Sequence, residues 1–513
     1  MYSSFLNRFR WPDFLFYLFI LLILGNRILL YLHLNLDHID SDQPIMWLAA
    51  KHFSEGLFFE PRFYGQNYNT MMEALLAVPF IKLGMPVYYA VPLVTHLLFL
   101  TPFLFTAGYL FLVDKKIQSI IVLTILLLLP SGYDILNALP RGFVTGIFFT
   151  SPFILGIHKP GHAKLILLNT FCACVAYLVN QNSLLVSVPF LFYIFLHNYK
   201  SKKYYLFSAI AILAALPLHY FLDHFYTLHP EYIQHSLENH FSGYFFIEAI
   251  KSLDKRFAHI TFFEDGKCIY VLFVLFLAGF LFLKKDRKVF YAYLLFLMFI
   301  LASFFSSKIA DGVAWPFYSY SRMYLGIPVI LYLFLSLIQG YSTKLLYFLV
   351  PTVLLFTSYK ELNLKKNIAI HTNEKRWFFI HLSSLKNTRE LVNHYNNLCK
   401  KHDVKNFVVA KDIWAREELA YGGQALLNDF PNTLMTVGER RTWRIAEERK
   451  KVHDRFIMLS TDYDFDEKGF DSLFHFKITR LDYYGCFLIE NNKKTLPGFL
   501  DATGSPINGI IEK

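Results

Sequence analysis

The chain has 513 residues, is 55% hydrophobic and 18% aromatic, and carries a formal net charge of +11. Apolar runs of roughly 18 or more residues recur, each long enough to cross about 30 Å of hydrocarbon, which excludes a soluble globular protein. The charge sits in "NRFR" at the start, "DKK" (114–116), "HKPGHAK" (158–164), "YKSKK" (199–203), "KKDRK" (284–288) and "STK" (342–344). These fall at every second gap between apolar runs, as cytoplasmic loops do under the positive-inside rule, so the charge reports topology and not nucleic acid.

In chain order the apolar runs lie near 14–36, 88–113, 117–136, 142–158, 163–180, 184–198, 204–222, 268–284, 289–305, 323–339 and 344–359, about eleven spans. The first follows Arg8 and Arg10 but is too long for a signal-peptide core, and no small-residue cleavage site follows it, so it reads as a retained helix. With the N-terminus inside, an odd count puts 37–87, 223–267, 306–322 and everything from roughly Lys360 outside. The expected fold is a polytopic α-helical membrane module over 1–359, with external loops 37–87 and 223–267, then a soluble extracytoplasmic α/β domain over 360–513.

The first external loop opens with "LDHIDSDQPIMWLAAKHFSEG" (36–56), which crowds Asp37, Asp40 and Asp42 beside a membrane. Pro44 suits the first turn of a helix, and Asp42 or Ser41 suits its N-cap. Ile45, Leu48, Ala49 and Phe53 share one face and Gly56 ends the helix, which would lie at the membrane surface. On a purely structural reading Asp42 caps the helix while Asp37 and Asp40 are solvated. The loop continues through "FFEPRFYGQNYNTMMEALLAVPFIKLG", with Arg62 and Glu73, and so long a loop between two spans does more than connect them.

The stretch 219–267 holds His219, His224, His229, His235, His240 and His259, a spacing that is no metal-ligand signature; a lid or an acceptor groove suits it better. In the tail, "NFVVA", "TLMTV" and "RFIMLS" read as buried strands, and "LFHFKIT" and "YGCFLIE" add further, antiparallel ones. "KDIWAREELAYGG", stopped by Gly422, and "GERRTWRIAEERKKVHD" read as helices between them, which makes an α/β domain. No Gly-rich phosphate loop follows any strand. Cys172, Cys174 and Cys268 suit packing within apolar runs, and pairing of Cys399 with Cys486 is left open by their spacing.

An acidic first loop, an amphipathic helix ending in Gly and then "YGQNYNTMMEALLAVPFIKLG" resemble the membrane-embedded GT-C glycosyltransferases. Within them the chain is most similar to bacterial members related to the protein-mannosyltransferase and aminoarabinose-transferase group. The resemblance is clearest over 37–112, weaker around "YSYSRMYLGIP" (318–328), and includes "VVAKDIWAREELAY" in the tail. It implies an inner-membrane enzyme that takes a sugar from a polyprenyl-phosphate donor and has an acidic first-loop residue at the reaction centre. By position Asp42 matches the family's first acidic residue; where the family commonly has Glu next, this chain has Gln43, and it lacks the Pro-Pro-Leu near the second span.

The residues suit that chemistry. A carboxylate within reach of the acceptor hydroxyl takes its proton, a role for Asp42, with Asp40 assisting or binding a divalent metal. No other cofactor is implied. Cations offset the charge of the leaving lipid phosphate, and Arg62, Arg141, Lys308 and Arg322 lie on the external side, each equally suited to interface anchoring. Glu73 is a second carboxylate or the charged start of a helix; Tyr64 and Tyr68 stack on a sugar or anchor at the interface. Arg27, inside the first span, must pair, snorkel or face a cavity, because exposure to lipid would cost on the order of 2–3 kcal/mol. The expected function is glycosyl transfer to a glycan, lipid or protein acceptor at the outer face. The alternatives are an O-antigen polymerase or ligase-like enzyme, a lipid or glycan transporter, and a non-catalytic scaffold.

Overall fold

A computed structural model of the protein describes residues 11–232, 239–260, 286–310, 312, 319–338, 344–373, 382–410, 413, 415–461, 477–481, 485–490, 495–496, 498 and 508–509. The span expected at 268–284, with Cys268 and His235, lies outside the described residues.

Among the described residues, four helices are long and apolar enough to cross a membrane: Trp11–Asn35, Val87–Leu112, Lys202–Leu228 and Lys344–Ile370. The run expected at 117–136 is a broken pair, Lys116–Leu128 and Ser131–Ala138, bent by 88°. Pro130 stands at the break, where its ring and missing N–H end the first helix. The run at 142–158 likewise divides into Thr145–Phe148 and Phe153–His158, with Pro152 opening the second. Ala163–Val179 and Leu184–Asn198 are shorter apolar helices.

The chain packs as two units. The first, drawn from Met1–Asn35, Pro92–Tyr220 and Leu237–Lys375, is helical. Buried charge ties its helices together. Arg27 pairs with Asp134 at 3.0 Å, Lys360 takes the other Asp134 oxygen at 2.9 Å, and the Arg27 guanidinium lies 3.9 Å from the centre of the Phe99 ring. Of the three fates open to Arg27, pairing is the observed one.

The second unit is drawn from Leu36–Val91, Phe221–Ser236 and Arg376–Lys513, so the first loop packs with the tail. Strand β1 (His38–Asp40) pairs antiparallel with β2 (Leu382–Ser384), Ile39 opposite Ser383. The tail builds a five-stranded sheet from β3 (Asn406–Val409), β4 (Asn432–Met435), β6 (Arg455–Leu459), β7 (Lys477–Arg480) and β8 (Cys486–Glu490), in the order β4-β3-β6-β8-β7. A short β5 (Val437–Glu439) pairs separately with β9 (Asn508–Gly509). Neighbours β4-β3-β6 are parallel, and β6-β8-β7 antiparallel.

Period-2 alternation gives the sheet two buried faces. Val408, Met458 and Ile489 point to one core, with Ile445 of helix Thr442–Glu448; Phe407, Val409, Ile457 and Leu488 point to the other, under Val392, Tyr395 and Cys399 of helix Leu385–Lys401. Cys399 and Cys486 share that second core as buried thiols that are not joined in a disulfide. Gly422 does not stop its helix: a π-turn, Glu418–Gly422, runs on into Gly423–Leu426. The tightly packed glycine is Gly423, where a Cβ would sit 2.3 Å from the Phe430 ring. The second expected tail helix is confined to Thr442–Glu448, its first residues being taken by β5.

Candidate active site

The first-loop helix forms over Gln43–Ser54, with Pro44 in its first turn, and closes through Gly56 at φ +79°. Its capping is not the expected one. Asp42 stands at the N-cap in a helical conformation, yet its side chain makes no capping hydrogen bond. Asp40 does that work: its Oδ1 accepts from the backbone N–H of Asp42 at 3.1 Å and of Gln43 at 3.0 Å. Asp40 is fully buried and lies on β1, so the β1–β2 ladder sets where the helix begins. The Asp42 carboxylate, not spent on its own helix, faces Arg440 of the tail, with Oδ1 3.5 Å from the guanidinium.

Gln43 is fully buried, and among the described residues its side-chain amide has no hydrogen-bond partner. A glutamate here would put a second buried charge beside Asp40 and Asp42, a heavier desolvation cost than the neutral amide bears.

The rest of the loop folds against aromatic side chains. Tyr64 is buried, its hydroxyl 3.0 Å from His52 Nδ1, and its ring meets Trp443 edge-on at 4.9 Å. Trp443 also stacks on Phe59 at 5.0 Å and on Tyr232 at 5.2 Å. Burial, then Arg441 and Lys51, push the His52 pKa down to about 3, so that ring is neutral. Tyr68 is half-buried and lies near Arg440. Glu73 lies in the first turn of helix Met72–Lys82, fully buried. Arg62 pairs with Asp223 at 3.1 Å.

Glu60, which sequence reasoning passed over, is 1% exposed. It accepts from the backbone N–H of Gly65 and from the Tyr226 hydroxyl, both at 3.1 Å. Burial raises its pKa to about 8 against the pull of those two bonds, so it holds a proton at neutral pH. The signal was present in "FFEPRF", a lone carboxylate between aromatic side chains. Arg440 was missed because "GERRTW" reads as an exposed helical face.

The other expected cations belong to the helical unit. Arg322 is buried and donates to Ser319 O at 3.0 Å, and Asn182 Nδ2 donates to Arg322 O at 3.3 Å. Lys308 donates to Gln181 Oε1 at 3.3 Å. Burial, then the nearby Arg322 charge, lower the Lys308 pKa. Arg256, also unforeseen, is buried, donates to Ile309 O at 2.7 Å and lies over the Tyr320 ring. Arg141 is buried beside Gly142, whose carbonyl accepts from Asn180 at 2.8 Å, in the turn that carries Gln181 and Asn182. Lys308 and Arg322 are thus gathered in one region, with Arg141 and Arg256 on the segments around it. Among the described residues, no three His, Cys, Asp or Glu side chains form a metal-binding group.

No protein-family model matches the chain, and no curated protein sequence matches it. Two solved structures do, both of ArnT from Cupriavidus metallidurans. The apo form matches at TM-score 0.57 and 10% identity, covering 92% of this chain and 98% of that one. The form bound to undecaprenyl phosphate matches at TM-score 0.55 and 10% identity, covering 93% and 97%. At that identity the likeness is one of fold, extending along nearly the whole of both chains: this protein is a helical membrane protein with the GT-C fold of ArnT.

Proposed function

We propose that the protein is a glycosyltransferase that moves a sugar from a polyprenyl-phosphate donor to a glycan, lipid or protein acceptor at the outer face of a bacterial inner membrane. The observation that carries this reading is the near full-length fold likeness to ArnT, a protein solved with undecaprenyl phosphate bound. The gathered cations support it. Two like charges held close, one of them buried, are unfavourable alone and become favourable around an anion such as a lipid phosphate.

In this reading Asp42 is the general base. The acceptor hydroxyl gives its proton to the Asp42 carboxylate as its oxygen bonds to the anomeric carbon. The bond from that carbon to the phosphate oxygen breaks, and polyprenyl phosphate leaves with its new charge offset by Lys308 and Arg322. Asp40 holds the start of the helix that carries the base. The reading includes about eleven spans, a cytoplasmic N-terminus and an extracytoplasmic tail domain.

The test is to incubate purified protein with undecaprenyl-phosphate-linked sugars and acceptor fractions and to measure release of undecaprenyl phosphate. Native protein should release it with at least one sugar. Asp42→Asn, which keeps the shape and cannot take the proton, should insert normally and transfer at least ~100-fold more slowly. Near-native transfer by Asp42→Asn would remove Asp42 as the base, and release from no donor would remove the transfer reading.

A further inference from the structure

The tail presents two consecutive arginines between β5 and helix Thr442–Glu448, and their side chains do different work. Arg441 is anchored inside the tail. Its Nε and NH2 take both oxygens of Glu439 at 2.8 and 2.9 Å, NH2 also donates to Thr433 O at 2.7 Å, and NH1 donates to Gln424 Oε1 at 2.7 Å. The backbone of Arg440 is held as well: its N–H donates to the Tyr421 hydroxyl at 2.9 Å, which in turn donates to Glu439 at 3.2 Å. With its main chain fixed from both sides, Arg440 sends its guanidinium to the Asp42 carboxylate at 3.5 Å, 5.8 Å from the centre of the Phe63 ring.

The two segments are joined at further points on either side of that pair. Lys51, on the helix that begins after Asp42, donates to Gln424 O at 2.6 Å, and a Cβ placed on Gly422 would meet Pro44 at van der Waals distance. The β1–β2 ladder holds the chain before the helix, and Trp443 stacks on Phe59 beyond it. Docking of the tail on the first loop therefore does not need the Arg440 pair. Asp42 makes no cap bond to its own helix, and Arg440 is a group from the tail that pairs with its carboxylate.

We propose that Arg440 is a positioning residue for the Asp42 carboxylate, which makes the tail domain a working part of the transfer site. The inference rests on the reading of Asp42 as the base. A misplaced reacting group costs up to about 100-fold in rate, so a cation that selects one carboxylate orientation acts on turnover and leaves donor binding alone. The contrary possibility is an ordinary, partly exposed ion pair, which would contribute little to anything.

The experiment uses the full-length protein with an undecaprenyl-phosphate sugar that the native protein consumes. Arg440→Ala, Arg440→Lys, Asp42→Asn and the double variant Asp42→Asn with Arg440→Ala are compared. Arg440→Ala should lower kcat by roughly 10–100-fold, with KM for the donor within about twofold and the thermal unfolding midpoint unchanged. Arg440→Lys should recover part of the loss, added guanidinium ion should partly restore Arg440→Ala, and the double variant should be no slower than Asp42→Asn. If Arg440→Ala turns over at a native rate while Asp42→Asn is inactive, this inference falls and the base assignment stands. A loss in Arg440→Ala that comes with a lower unfolding midpoint and no rescue by guanidinium makes the role structural and also overturns it. An active Asp42→Asn overturns both.

Discussion

Asp40 and Asp42 are two residues apart and chemically alike, yet only one carboxylate is occupied by the helix start. Asp40 Oδ1 accepts two backbone N–H groups, while the Asp42 side chain makes no cap bond and reaches across to the tail. The sequence located the acidic cluster and could not tell which member caps. That depends on the ladder to residues 382–384, which no local pattern encodes. On the cation side, Arg322 is buried and close to Lys308, whereas Lys344 is exposed at the start of its helix. Replacing Arg322 with Gln removes a charged donor whose hydrogen bonds to an anion contribute about 1.5–3 kcal/mol, so the donor KM should rise roughly 10–100-fold. Lys344→Gln should leave it within about twofold of native. Equal, small effects in a donor titration would make Arg322 an interface anchor.

At the scale of elements, the strands of the tail were legible because they are short apolar runs bounded by turns: β3, β6 and β8 lie within the stretches expected, and β4 begins one residue before its own. Less legible were β1 and β2, three residues each, too short to show a period. The aromatic residues of the loop between the first-loop helix and Met72 stand in the sequence, but its internal clamp on Glu60 does not. That clamp has a pH signature. Glu60 ionises near pH 4.5 in an unfolded chain and near 8 in the folded one, so between those values only the unfolded state gives up its proton. Its contribution to stability is complete below about 4.5 and is lost as pH rises towards 8. Thermal unfolding in detergent should therefore show a midpoint that falls from pH 5 to pH 8. Glu60→Gln, which keeps the shape and cannot ionise, should flatten that slope. An unchanged slope in Glu60→Gln would assign the pH dependence to other groups.

Across the whole molecule, apolar length and basic-loop placement made the membrane class plain, while the number of crossings was less so. Pro130 and Pro152 break two runs whose apolar composition is continuous, and hydropathy does not register such a break. Side-by-side pairing of β1 with β2 adds what hydropathy lacks: residues 38–40 and 382–384 share one side of the membrane. The intervening chain then crosses an even number of times. In the proposed topology that side is the external one. A phosphatase fusion at Lys513 should be active and a fluorescent-protein fusion there dark. The reverse result would turn the whole assembly over and put the Asp42 loop in the cytoplasm.

The β1–β2 ladder also sets an order of events during synthesis. Its two strands lie roughly 340 residues apart in the chain. At about 5–20 residues per second the ribosome needs on the order of 20–70 s to reach the second after releasing the first. Throughout that interval the loop bearing Asp42 is without the strand it pairs with and without Arg440. A chain that stops near residue 373 would hold the carboxylate helix with no tail to dock on, and under the proposed mechanism it should be inactive. Under the proposed mechanism, reactivity is then withheld until assembly is finished.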